Sequence, residues 1–124
     1  MNGDKPIILV VDDAADNIQL LSGLLKNQYK VKASTSGEKA IAIANKSPQP
    51  SLILLDVIMP HMDGYQVCEA LKKDDNTKQI PVVFVSGKIM QEDVNKGMAL
   101  GAVGYLQKPV QLAELEKIIE PILA

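Results

Sequence analysis

The sequence predicts an α/β doubly wound domain, a single five-stranded parallel sheet flanked by five helices. Three observations carry that expectation. Continuous, β-branched apolar runs recur at wide spacing, at Ile7–Val11, 52–55 and 82–85, the pattern of parallel strands buried on both faces. Segments of helical periodicity separate them. A carboxylate or hydroxyl residue stands where each run stops: Asp12 and Asp13, Asp56, and Ser86.

Taken in order, Ile7–Val11 is the first strand. Ile18, Leu21 and Leu25 share one face of a first helix, with Asn27 and Gln28 near its end. Residues 29–33 form a weaker strand candidate. A second helix begins at a capping box, Thr35 or Ser36 with Glu38 three residues after Thr35, and carries Ala40, Ile41 and Ala44. Pro48 and Pro50 end it. Residues 52–55 are the third strand. The third helix runs from about Gly64 to Lys73, with Asp63 as its N-cap and Val67, Ala70 and Leu71 facing inward. After the fourth strand, 82–85, a helix over 91–100 contains glycine and is weakly apolar, so it is expected to be the loosest. Residues 103–106 are the second weak strand candidate. Leu112, Leu115, Ile119 and Ile122, at helical spacing, mark the fifth helix.

The chain's 124 residues fit one domain, with a core of about residues 5–119. Aromatics make up only 3%, so Ile, Leu, Val and Ala are expected to do the packing. A formal charge of -2 gives no general reason to expect nucleic-acid or membrane-surface binding. The first apolar run meets Asp12 and Asp13 at once, which spoils it as a signal-peptide core. No apolar stretch approaches the roughly 20 residues of a membrane span. A single cysteine, Cys68, cannot form an internal disulfide, and a cytoplasmic location is expected. The chain stops just after the fifth helix, so it is read either as a free-standing domain or as one cut from a longer protein.

In open parallel sheets, ligands bind beyond the carboxyl ends of the strands, where strand order reverses. With the order 2-1-3-4-5, the first and third strands are neighbours there. Asp12, Asp13 and Asp56 then converge on one shallow pocket, beside Ser86 and Lys108. Three converging carboxylates call for a cation. Oxygen ligands with room for water suit Mg²⁺, and there is no Cys or His cluster for zinc. A nucleophile, a metal and preset donors are the parts of in-line phosphoryl transfer, with Asp56 as the nucleophile.

Four stretches, Val10-Val11-Asp12-Asp13, Asp56 through Gly64, Val85-Ser86-Gly87 and Tyr105-Leu106-Gln107-Lys108-Pro109, resemble the receiver domain of two-component response regulators in order and spacing. The resemblance covers about residues 5–119 and implies a flavodoxin-like fold. It also implies that Asp56 is the phosphoacceptor. Asp13 and Asp56 bind Mg²⁺ by side chain, Ile58 by its backbone carbonyl, and Asp12 through water. Ser86 and Tyr105 form a switch pair, in which the hydroxyl moves to the phosphoryl group and the ring turns into the space it leaves. Lys108 bonds a phosphoryl oxygen, and its peptide bond to Pro109 is cis. The donor is a phosphohistidine on a sensor kinase or phosphotransfer protein. The face of the fourth helix, fifth strand and fifth helix then signals to an effector, or pairs two copies of the domain.

Three positions depart from familiar relatives. Ile58 cannot orient an attacking water as an amide or acid could, which predicts a long-lived phosphoryl group. Lys88 places a flexible cation near the opening, and Gly87 stands where alanine is commoner. Taken alone, Asp12 and Asp13 could merely cap a helix, and Tyr105 could be an ordinary half-buried strand aromatic. His61, the single histidine, is read as exposed and non-catalytic. Cys68 is read as a small helix residue, buried or partly so. A haloacid-dehalogenase-type phosphatase would need an acid at position 58, and a flavin-binding module would need a phosphate-cradling loop where Asp12 and Asp13 repel phosphate. A receiver-like fold without the chemistry is hard to reconcile with all five key positions filled. The chain is therefore expected to be a switch and not a turnover enzyme.

Overall fold

The computed structural model describes residues 5–87 and 89–123. Along the chain run β1 (Ile7–Val11), α1 (Ala15–Leu25), β2 (Lys30–Ser34), α2 (Gly37–Asn45), β3 (Leu52–Asp56), α3 (Gly64–Lys73), β4 (Val82–Ser86), α4 (Gln91–Ala99), β5 (Gly104–Gln107) and α5 (Leu112–Leu123). All strand pairs are parallel, and the order is β2-β1-β3-β4-β5. The doubly wound fold expected from the apolar runs is the one observed.

Every residue of β1, β3 and β4 is buried, because both faces of the central strands are covered. On one face Leu9, Val11, Ile53, Leu55, Val82 and Phe84 pack with residues of α2 and α3 such as Ala40, Val67 and Leu71. On the other, Ile8, Val10, Leu54 and Val85 pack with Leu21 and Leu25 of α1 and Leu115 and Ile119 of α5. β2 and β5 lie at the edges and are only partly buried. Each begins one residue later than the sequence suggests.

Other expectations need adjustment. Ser36, not Thr35, caps α2 by accepting from the Lys39 amide; Glu38 is then one position short, so no capping box forms there. The box forms at α3, where Asp63 and Gln66 each accept from the other's backbone amide. Cys68 is fully buried while Ala70 is half-buried. Leu112 is exposed although it shares the helical spacing of buried Leu115 and Ile119. α4 buries only Gly97. The largest fully buried side chain is Phe84, so an aromatic sits within the core that the composition assigned to aliphatics.

Parallel registry sets the strand ends along one edge of the sheet. Val11 of β1 lies beside Leu55 of β3, Asp56 beside Val85 of β4, and Ser86 beside Gln107 of β5. The residues that follow, Asp12 and Lys108, therefore meet Asp56 and Ser86 at a common level.

Candidate functional site

Asp12 continues β1 for one residue. Its amide donates to the Ser34 carbonyl at the end of β2 at 3.1 Å. It is 2% exposed, Asp56 at the end of β3 is 5% exposed, and Asp13 is exposed. One carboxylate oxygen from each of the three lies within 4.8 Å of the others. The acids do not cap α1: its N-cap is Ala14, with no side-chain cap bond, and Asp12 accepts from the Ala14 amide outside the helix.

Lys108 reaches across from the far side. Its amide donates to the Ser86 carbonyl at 2.8 Å, which ties the chain leaving β5 to the end of β4. Its Nζ lies 2.8 Å from Asp12 Oδ2 and 3.1 Å from Asp56 Oδ1. The sequence placed Lys108 near Asp56 but gave no hint that it bridges two acids. The Lys108–Pro109 peptide is cis, as the resemblance implies.

Burial pushes the Asp56 carboxyl above the usual range, and the Asp12 charge adds to the effect; the Lys108 bond opposes both without cancelling them. Burial alone would lower the Lys108 pKa, but its bonds to Asp12 and Asp56 hold it above the ordinary value. The pocket is thus short of positive charge. Its hard oxygen donors, free of sulfur and imidazole, fit a small divalent cation.

The loop after β3 folds back tightly. Gly64 donates its amide to the Val57 carbonyl at 2.8 Å, and a Cβ at position 64 would run into the Asp56 carbonyl oxygen. Only glycine lets α3 start this close to the end of β3. Within the loop His61 is exposed and has φ 69°, a left-handed turn conformation the sequence did not reveal. Ile58 is 78% exposed. Gly87 faces open space, and a methyl group there would meet nothing within 4 Å. Lys88 lies outside the described residues.

Ser86 ends β4 and is buried. Tyr105, on β5 beside Phe84, is half-buried; burial and the Tyr65 hydroxyl push its pKa up, and Ser86 beside it acts weakly in the other direction. The two residues expected to act as a pair therefore lie side by side on β4 and β5. The family model for the response regulator receiver domain matches residues 8–120. The chain belongs to the receiver family.

Among relatives of this receiver, rice (Oryza sativa) two-component response regulator ORR5 is 33% identical over 122 residues, 98% of the chain and 91% of that protein. A Vibrio cholerae protein named probable cyclic di-GMP phosphodiesterase is 44% identical over 109 residues, 88% of the chain. This receiver spans only 24% of that longer protein. Among solved structures, Vibrio cholerae chemotaxis protein CheY4 superposes with a TM-score of 0.88 at 30% identity, covering 96% of this chain and 99% of that one. A putative response regulator from Chloroflexus aurantiacus gives 0.90 at 29% identity, covering 97% and 98%. Receivers are signalling domains, and accepting phosphoryl groups is general to the family.

One participant escaped the sequence. Tyr65, in the first turn of α3, places its hydroxyl 2.7 Å from that of Tyr105, 40 residues away. Nothing in the local pattern marks it, because an aromatic at a helix start is ordinary. Its partner becomes visible only when α3 and β5 are in place.

Proposed function

We propose that this receiver takes a phosphoryl group on Asp56 from a phosphohistidine of a sensor kinase or phosphotransfer protein. The observation that carries the reading is the convergence of Asp12, Asp13 and Asp56 within 4.8 Å, with Lys108 Nζ 3.1 Å from Asp56. An Asp56 carboxylate oxygen attacks phosphorus as the P–N bond breaks; the bonding pair leaves on the imidazole nitrogen, and the product is an acyl phosphate. Asp13, Asp56 and the Ile58 backbone carbonyl would hold a Mg²⁺ ion, with Asp12 assisting, and the ion would supply positive charge to the transferring oxygens. Lys108 exchanges its bond to Asp56 for one to a phosphoryl oxygen, and Ser86 donates to another. The groove lined by Leu20, Leu21, Lys108, Pro109 and Val110 adjoins this site and offers a donor protein an apolar rim.

The output is proposed to leave through α4, β5 and α5. Met90, Met98, Val103 and Leu112 are exposed there, an apolar surface suited to an effector or a second copy of the domain. Incubation with acetyl phosphate and Mg²⁺, read by intact mass, tests the chemistry. The expected result is a gain of about 80 Da, one phosphoryl group, that disappears on chelation. A folded protein that gains nothing contradicts the reading.

Ile58 governs how long the group survives. Its aliphatic side chain, two residues after the acceptor and 78% exposed, cannot orient water. Ile58→Asn is expected to speed phosphoryl loss by about ten-fold, less than a positioned general base supplies. Decay of the phosphorylated mass after donor removal measures this. An unchanged half-life would show that Ile58 is not the brake.

A further inference from the structure

Tyr65, Phe84 and Tyr105 form a three-ring cluster beside the site. Tyr65 packs edge-on to Phe84 with centroids 5.0 Å apart, and Phe84 lies 5.5 Å from Tyr105. The Tyr65 and Tyr105 hydroxyls share a 2.7 Å hydrogen bond, so both rings that flank Phe84 are joined at their tips. Tyr65 is itself held in place. The Asp63–Gln66 capping box fixes the turn that carries it, and Lys96 Nζ of α4 lies 4.5 Å over its ring. Gly97 lets α4 lie against the cluster; a Cβ there would come within 2.9 Å of Phe84 and 3.3 Å of Tyr105.

The Tyr105 hydroxyl thus has a bonded partner in Tyr65 and a polar neighbour in Ser86, with different fates. Ser86 must turn toward a phosphoryl oxygen if Asp56 is the acceptor, whereas Tyr65 stays on α3. We propose that Tyr65 is a positioning residue for the Ser86–Tyr105 pair, holding the Tyr105 ring inward so that the hydroxyl keeps a partner when Ser86 leaves it. The inference rests on the phosphoacceptor reading and adds to it a third residue, which ties the ring's position to α3 and α4. A half-buried phenol with no partner would be drawn out to water. With Tyr65 in place, the inward ring is already favoured before phosphorylation. Phosphorylation therefore completes a switch that is partly set.

The test uses the full chain labelled with ¹³C on its tyrosine rings; there are three tyrosines, and Tyr29 serves as an internal control. Spectra of wild type and Tyr65→Phe are compared with Mg²⁺ alone and with Mg²⁺ plus beryllofluoride, a stable acyl-phosphate mimic. Loss of one hydrogen bond is expected to change the ratio of inward to outward Tyr105 ring positions by about five-fold with Mg²⁺ alone, while Tyr29 stays put. Tyr105 signals that coincide with wild type under both conditions overturn the inference. A wild type that shows no bound beryllofluoride in its ¹⁹F spectrum overturns the phosphoacceptor reading itself, and the inference falls with it. A second variant separates the bond from ring packing. In a Tyr105→Phe background, Tyr65→Phe should leave the rate of phosphoryl acceptance unchanged. The same rate change in both backgrounds assigns Tyr65 to packing and overturns the proposal.

Discussion

Asp56→Asn is expected to abolish phosphoryl acceptance and at the same time to stabilise the metal-free protein. The two effects share a cause. Asp56 is buried beside Asp12, and its carboxyl is held above the ordinary range by burial first and the Asp12 charge second. A group whose folded pKa is raised adds stability below its unfolded pKa and loses that contribution as pH rises through the folded value. Near neutral pH the ionised Asp56 is therefore a liability. An amide of the same shape removes it, while Lys108 keeps its 2.8 Å contact with Asp12. The expected gain is about 1–2 kcal/mol at neutral pH in chelator, read from the urea midpoint. The difference should shrink as pH falls toward the carboxylate range, because wild type then neutralises Asp56 by protonation. Adding Mg²⁺ should raise the wild-type midpoint more than the variant's, since the ion binds the folded site and the variant has lost a ligand. A variant less stable than wild type at neutral pH would show that Lys108 compensates the Asp56 charge in full.

Gly64→Ala is expected to be the most damaging single-methyl change near the site. The added carbon would strike the Asp56 carbonyl oxygen and come within 2.9 Å of Val57 Cα. These are backbone atoms that no rotamer change can clear. α3 must then back away from β3, breaking the 2.8 Å bond from the Gly64 amide to the Val57 carbonyl. The expected cost is about 3 kcal/mol, the upper part of the range for overpacking because the obstruction is rigid. Phosphoryl acceptance should also fall by about 100-fold, since the displaced backbone carries both Asp56 and the Ile58 carbonyl. Urea unfolding and the initial rate with acetyl phosphate measure the two effects. Normal stability and rate would mean that the loop yields without moving the acceptor.

The sheet was legible because its central strands are covered on both faces and so read as unbroken apolar runs. The edge strands were fainter for the same reason. Lys30 is exposed and Lys32 half-buried in β2, and β5 buries only Leu106. Site residues were legible where they follow a strand directly, because strand registry brings them together whatever the helices do. Contacts between distant elements were not. The bridge from Lys108 to Asp12 depends on two loops meeting, and the bond between Tyr65 and Tyr105 on the seating of α3 against β5. The Ser36 cap was ambiguous because neighbouring hydroxyls at 35 and 36 offer the same chemistry one residue apart.

Asp56 as the acceptor is the claim from which the rest follows, and chemical trapping tests it at the level of the residue. The protein is treated with acetyl phosphate and Mg²⁺, any acyl phosphate is reduced with borohydride, and the peptides are sequenced by mass. The account predicts reduction at Asp56 alone, lost on chelation and in Asp56→Asn. Reduction at Asp12 or Asp13, or none at all in folded protein, would contradict it.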